Sequence, residues 1–177
     1  MYIAQLRGLL TQLRSGELSV DEVTAELESL PFADLGFARL DHHRALRQGI
    51  PEVVFGQGKT SHQIHAITHE LAGRGQPVLL TRLDPEVAAS LKENHSELRH
   101  NPVARTAWIP GNVPEHRASA RVAVVTAGTS DLPVSEEAIE TLLASGVRAH
   151  FLSDVGVAGI HRLLPEVERL RTYQCVI

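Results

Sequence analysis

At 177 residues, with 43% hydrophobic content and a formal net charge of -4 at pH 7, the chain can bury the core of one or two small domains, and it lacks the excess positive charge that marks nucleic-acid or anionic-membrane binding. Cys175 is its single cysteine, which excludes an internal disulfide framework or a thiolate zinc cluster and fits a reducing compartment. The opening MYIAQLRGLLTQLRSGELS has no signal-peptide core, and no apolar run approaches spanning length, so the expectation is a soluble, globular, cytoplasmic protein.

In chain order, Ile3, Leu6, Leu9, Leu10 and Leu13 stand at helical spacing and predict an amphipathic helix over 2–13. Ser19 and Glu22 make a capping box for a second helix that runs to Leu30, before Pro31. FARLDHHRALRQGIPEVVFG reads as two strand-like runs separated by the RQGIP turn. Ile64, Ile67 and Leu71 predict a helix ending near GRG; PVLLTRL then reads as a strand, DPEVAASLKENH as a helix capped by Asp84, and TAWI as a short strand. Residues 1–110 are thus expected to form a small α+β domain.

PGNVPEHRASA, rich in proline, glycine and small polar residues, is expected to be a linker over 111–120. Beyond it, RVAVVTAGTSD reads as a strand buried on both faces, LPVSEEAIETLLASG as a helix, VRAHFLSD as a second strand, HRLLPEVERLR as a helix or helical turn, and YQCVI as the start of a third strand. That alternation predicts an α/β class with the first part of a flavodoxin-like, doubly wound parallel sheet over 121–177. A third strand only just begun leaves apolar surface and an unpaired edge. The expectation is therefore a truncated portion of a larger domain, or one completed by another subunit.

Candidate chemistry lies in the loops after the buried strands. EVVFGQGKT looks at first like a phosphate-binding loop, but Val53 stands where the first glycine belongs, and Gly56 and Gly58 are too close to encircle a phosphate chain before Lys59 and Thr60. Gly128, Thr129, Ser130 and Asp131 occupy a strand-to-helix turn whose amides and hydroxyls suit an anion, or equally an ordinary turn with Ser130 or Asp131 as cap. His161 and Arg162, after the glycine-rich DVGVAG, point to the same crevice, where they could move a proton or hold an anion; a surface pair at a helix start is the alternative. Asp41, His42, His43, His62, His65 and His69 invite a metal reading, yet no zinc-protease glutamate follows His65, and adjacent strand residues His42 and His43 would face opposite ways. Surface or packing roles are expected for them, no metal site is assigned, and Cys175 is expected to be a buried small hydrophobe.

GFARLDHHRALRQGIPEVVFGQGKT, VAVVTAGTSDLPVSEEA and SDVGVAGIHRLL together resemble the LarB family of pyridinium-3,5-biscarboxylic acid mononucleotide synthases, which act in nickel-pincer cofactor biosynthesis. The likeness runs over nearly the whole chain. In the second part it is similar to the PurE-like AIR carboxylase superfamily, whose G-S-x-S-D turn corresponds to Gly128, Thr129, Ser130 and Asp131, and whose S-A-H-R loop is echoed by GIHR at His161 and Arg162. The Lys59 loop is then a family feature that imitates a phosphate-binding loop by accident. The resemblance implies carboxylation of the pyridinium ring of nicotinic acid adenine dinucleotide (NaAD) by CO2 or bicarbonate, with phosphoanhydride hydrolysis releasing AMP, Mg2+ as cofactor, and a homo-oligomer. It also implies a nucleophilic cysteine after the third strand, so the catalytic residue is left unassigned and this chain alone is expected to be inactive. Substrate binding is assigned to Gly128, Thr129, Ser130, Asp131, His161, Arg162 and Lys59. A non-catalytic nucleotide-binding or oligomerising α/β module is the alternative.

Overall fold

The computed structural model describes residues 3–28, 32–111 and 120–177. Helix α1 (Ile3–Ser15) and helix α2 (Val20–Glu28) form the expected helical hairpin. The Ser19 N–H and hydroxyl both donate to Glu22 Oε2 at 2.8 Å, while the Glu22 N–H returns a bond to Ser19 Oγ at 3.2 Å, so the capping box starts α2 where its residues require. Leu30 and Pro31, expected to end that helix, lie outside the described residues.

The next stretch departs from its reading. Strands β1 (Phe32–Asp34) and β2 (Arg39–Asp41) pair antiparallel, and RALRQ forms a short helix, α3 (Arg44–Gln48), instead of continuing a strand. His42 and His43 therefore sit in the turn between β2 and α3. Gly49, at φ 79°, closes α3 in the left-handed conformation open to glycine.

Strand β3 (Val53–Phe55) leads into α4 (Ser61–Gly73), followed by β4 (Val78–Thr81), α5 (Pro85–Asn94), β5 (Arg99–Asn101) and β6 (Thr106–Ile109). These strands form a mixed sheet in the order β3-β4-β6-β5, with β3 and β4 parallel and the other neighbours antiparallel. Ile64, Ile67 and Leu71 of α4 bury their side chains in one cluster with Val78 and Leu80 of β4 and Leu91 of α5. Strand β5 escaped the sequence reading because RHN has no apolar alternation; pairing with β6 holds it in place.

After residues 112–119, which lie outside the described residues, β7 (Val122–Val125), α6 (Leu132–Ala144), β8 (Ala149–Leu152) and β9 (Cys175–Val176) build an all-parallel sheet in the order β8-β7-β9. The α/β class holds, and this strand order is one that doubly wound sheets use. The expected helix over 161–171 is broken into α7 (Ile160–Leu163), a 3₁₀ turn at Leu164–Glu166, and α8 (Val167–Leu170), because Pro165 has no N–H to continue the ladder. Helix α6 bridges to the four-stranded mixed sheet: Asn101 Nδ2 donates to Glu136 Oε2 and Glu140 Oε1, each at 3.0 Å, and Arg82 pairs with Glu137 at 2.8 Å.

Candidate functional site

The central strand β7 delivers the first half of the site. Its continuation, Thr126 and Ala127, is held beside the loop after β8: the Val155 N–H donates to Thr126 O at 3.2 Å, and the Gly156 N–H donates to Ala127 O at 3.1 Å. The two strand-end loops thus run side by side, extending the β7–β8 pairing past the strand ends. Gly156 permits this approach, since a Cβ there would lie 3.0 Å from Ala127 O.

Thr129–Asp131 form a 3₁₀ turn that feeds α6. The Gly128 N–H donates to Asp131 Oδ2 at 3.0 Å, and the Asp131 N–H donates to Gly128 O at 3.1 Å. Asp131 is the N-cap residue of α6 and makes no side-chain capping bond to it; its carboxylate instead accepts the Gly128 N–H within the turn. Beside the turn lies an open hollow of ≈ 320 Å³, bounded by β7, the start of α6 and Ile177; its lining includes Thr126, Asp131, Val134 and Ser135. Thr126 is 8% exposed, and its Oγ1 is buried with no hydrogen-bond partner, whereas Ser135 Oγ donates to Leu132 O at 3.0 Å. Thr126 and Ser135 escaped the sequence reading. Thr126 left a signal, as the first polar residue after the buried VAVV run.

Of the residues assigned to substrate binding, Asp131 alone lines this cavity. Thr129 and Ser130 are exposed and lie outside its lining. Arg162 Nη1 pairs with Asp154 Oδ2 at 2.6 Å, and its guanidinium folds over Gly159, where an added Cβ would lie 2.7 Å from Arg162 Nε. Asp154 itself holds φ 61° at the end of β8, a conformation aspartate tolerates better than most residues. His161 is exposed on α7 and makes no side-chain hydrogen bond among the described residues. Lys59 Nζ donates to Phe55 O at 2.7 Å within its own loop, where Gly58 has φ 81° and the Thr60 and Gln63 side chains form a capping box for α4. That geometry supports an ordinary strand-to-helix loop, in keeping with rejection of the phosphate-binding motif.

The histidines divide into two settings. His62, His65 and His69 share one face of α4 and, with His95 after α5, line an open groove of ≈ 490 Å³; His65 Nε2 lies 3.1 Å from Ser90 Oγ. His42, 1% exposed, sits 3.4 Å from Glu70 and 3.3 Å from Gln76 Nε2. Burial holds its pKa below the ordinary value, assisted by Arg74 and opposed by Glu70 and the Gln76 bond. Among the described residues no group of three or more His, Cys, Asp or Glu side chains converges to hold a metal ion. Cys175 is exposed, contrary to expectation, because β9 is a two-residue strand paired on one side to β7. No described helix is long and apolar enough to cross a membrane.

Residues 32–111 match the family described as LarB/PurE-like N-terminal domain. An uncharacterized protein of Methanocaldococcus jannaschii is 35% identical over 172 residues, an alignment that covers 93% of this chain and 67% of the relative.

Proposed function

The chain belongs to the LarB/PurE-like family, and from that membership we propose that it binds nicotinic acid adenine dinucleotide for carboxylation of the pyridinium ring. The complete reaction joins the free meta carbon of the ring to CO2, supplied as such or as bicarbonate. That carbon gives up its proton, and water cleaves the phosphoanhydride to leave AMP and pyridinium-3,5-biscarboxylic acid mononucleotide.

The observation that supports this reading is the hollow at the carboxyl end of β7, lined by Asp131, the start of α6 and Ile177; the loop after β8 is held beside it through Val155 and Gly156. His161 and Arg162 rise from that loop, and a substrate pyrophosphate competing with Asp154 for Arg162 would gain a charge-assisted bidentate partner. An electron-poor pyridinium carbon needs electron density before it attacks CO2, which a thiolate adding to the ring would supply. The single thiol, Cys175, is exposed on β9 and lies outside the cavity lining, so this chain is proposed to bind the dinucleotide without turning it over. The same observation favours a second reading, a non-catalytic nucleotide-binding module that self-associates.

Mg2+ is the metal ion that family membership implies for the reaction. The described residues offer it no converging set of three side chains, and no step is assigned to it. The test is calorimetric titration of the chain with NaAD, followed by mass spectrometry after incubation with bicarbonate and Mg2+. Binding that Asp131→Ala weakens, without AMP release, is the expected result. Absence of binding would overturn the proposal, and AMP with the biscarboxylated product would overturn the inactivity of the chain by itself.

A further inference from the structure

We infer that His65 and His69 form a two-histidine chelate for one divalent ion of the Zn2+ or Cu2+ type on the outer face of α4, with water completing its shell. The two residues stand one helical turn apart in α4, which brings their Cβ atoms to about 5–6 Å of one another. At that separation two imidazole nitrogens can close on one ion at about 2.0–2.1 Å, and helical zinc sites use the same spacing. Both rings line the open groove of ≈ 490 Å³ between α4 and the end of α5, which has room for an ion and its waters. His65 is half-buried and His69 is exposed.

What each ring already touches separates this pair from the other histidines of the groove. His62 leans on the Phe37 ring, with centroids 6.5 Å apart, and His95 Nδ1 faces Glu97 Oε1 at 3.9 Å. The His69 ring has no hydrogen bond or ion pair among the described residues, so its lone pair is open to an ion. His65 supplies a second observation: its Nε2 lies 3.1 Å from Ser90 Oγ on α5. When Nε2–H donates to that hydroxyl, the lone pair stands on Nδ1. Metal-bound histidines hold their other nitrogen in a bond of this kind, which fixes the tautomer and the ring. The groove lining contains no carboxylate, and Glu70, the acidic neighbour of His69, is engaged by Arg74 at 2.8 Å. Imidazole donors without anionic oxygens favour Zn2+ and Cu2+ over Mg2+ and Ca2+, which take oxygen ligands. No third His, Cys, Asp or Glu side chain converges with the pair among the described residues, so the ion keeps part of its hydration. The assignment is independent of the proposed dinucleotide reaction and does not supply the Mg2+ of that reaction.

The experiment is a calorimetric titration of the full chain, carrying no polyhistidine tag, with Zn2+, Cu2+ and Mg2+ in turn, joined to imidazole 15N NMR of the Zn2+ complex. One Zn2+ per chain is expected, with Cu2+ tighter than Zn2+ and no heat from Mg2+. In the spectra, Zn2+ should move the His69 ring and Nδ1 of His65, while His65 Nε2 stays protonated. His69→Gln changes an exposed side chain and should abolish binding at concentrations that saturate the parent protein; His62→Gln should leave it unchanged. Ser90→Ala should weaken Zn2+ by about tenfold, as loss of the bond that orients a metal-bound histidine does. Absence of Zn2+ binding, displacement of Zn2+ by Mg2+, or coordination of His65 through Nε2 would each overturn the inference in the unsubstituted protein, whatever the variants do. Binding that survives His69→Gln undiminished, or that His62→Gln removes, would overturn the choice of ligands.

Discussion

The close approach of the two strand-end loops can be tested with a pair of glycine substitutions expected to act in opposite directions. Gly156 has φ -61° and ψ 150°, a conformation any L-residue adopts, so Gly156→Ala introduces no backbone strain. Its new Cβ would nevertheless stand 3.0 Å from Ala127 O and 3.3 Å from Ala127 Cβ. The loops must move apart, weakening the Val155-to-Thr126 and Gly156-to-Ala127 bonds of 3.2 and 3.1 Å. Each bond contributes about 0.5–1.5 kcal/mol, and alanine returns about 0.4–1 kcal/mol by restricting the unfolded chain, so loss of both bonds nets about 0–2.6 kcal/mol of destabilisation, centred at about 1.3 kcal/mol. Gly128, also in an extended conformation at φ -153°, has nothing within 4 Å of an added Cβ. Gly128→Ala therefore keeps only the unfolded-state gain of about 0.4–1 kcal/mol. Urea unfolding without ligand, with m near 1–3 kcal/mol/M, should show the two midpoints moving in opposite directions from the parent protein. Shifts of the same sign, or a Gly156→Ala variant as stable as Gly128→Ala, would refute the loop pairing.

Stability should also depend on pH through His42. Burial lowers its folded pKa, so the unfolded state takes up a proton that the folded state refuses. The contribution of neutral His42 is thus complete above its ordinary value of 6.5 and is lost as pH falls below it. Urea midpoints should drop between about pH 7 and pH 5, and His42→Gln should flatten that part of the profile; an unchanged slope in the variant would assign the drop to other groups. Asn101→Ala removes two 3.0 Å bonds to α6 and the Oδ1 acceptor of the Val103 and Ala104 N–H groups, and should cost about 1–3 kcal/mol in the same assay. A change under about 0.5 kcal/mol, the level of an ordinary surface substitution, would mean that the bridge between the sheets is weak. Leu71→Ala, at a side chain with 0% exposure, should cost about 2–5 kcal/mol by leaving a core cavity, and a near-neutral midpoint would contradict the packing of α4.

The legible parts of the chain were those in which one local rule dominates. Asp84 and Pro85 predict a helix start, and Asp84 Oδ1 accepts the Glu86 N–H at 2.9 Å; VAVV predicts a strand covered on both faces, and Val122, Ala123 and Val124 are buried. Local rules fail where a neighbour decides. RALRQ could extend a strand or wind a turn of helix, and Gly49 in the left-handed region, with its N–H donating to Ala45 O, settles it as helix. RHN becomes β5 only because β6 offers it a ladder. The short apolar run around Cys175 reads as buried, but burial depends on what lies across the sheet, which the run does not encode.

The site shows the same limit more sharply. Glycine, hydroxyls and aspartate at a strand-to-helix turn are the residues an anion site uses, and also those a self-capped turn uses. What separates the two is the direction of one side chain. When Asp131 turns back onto the Gly128 N–H, the positive end of that amide is already neutralised, and the carboxylate becomes the local charge presented to the cavity. The same residues thus serve either arrangement, and the 3.0 Å bond from the Gly128 N–H to Asp131 Oδ2 is the feature that their identities do not encode.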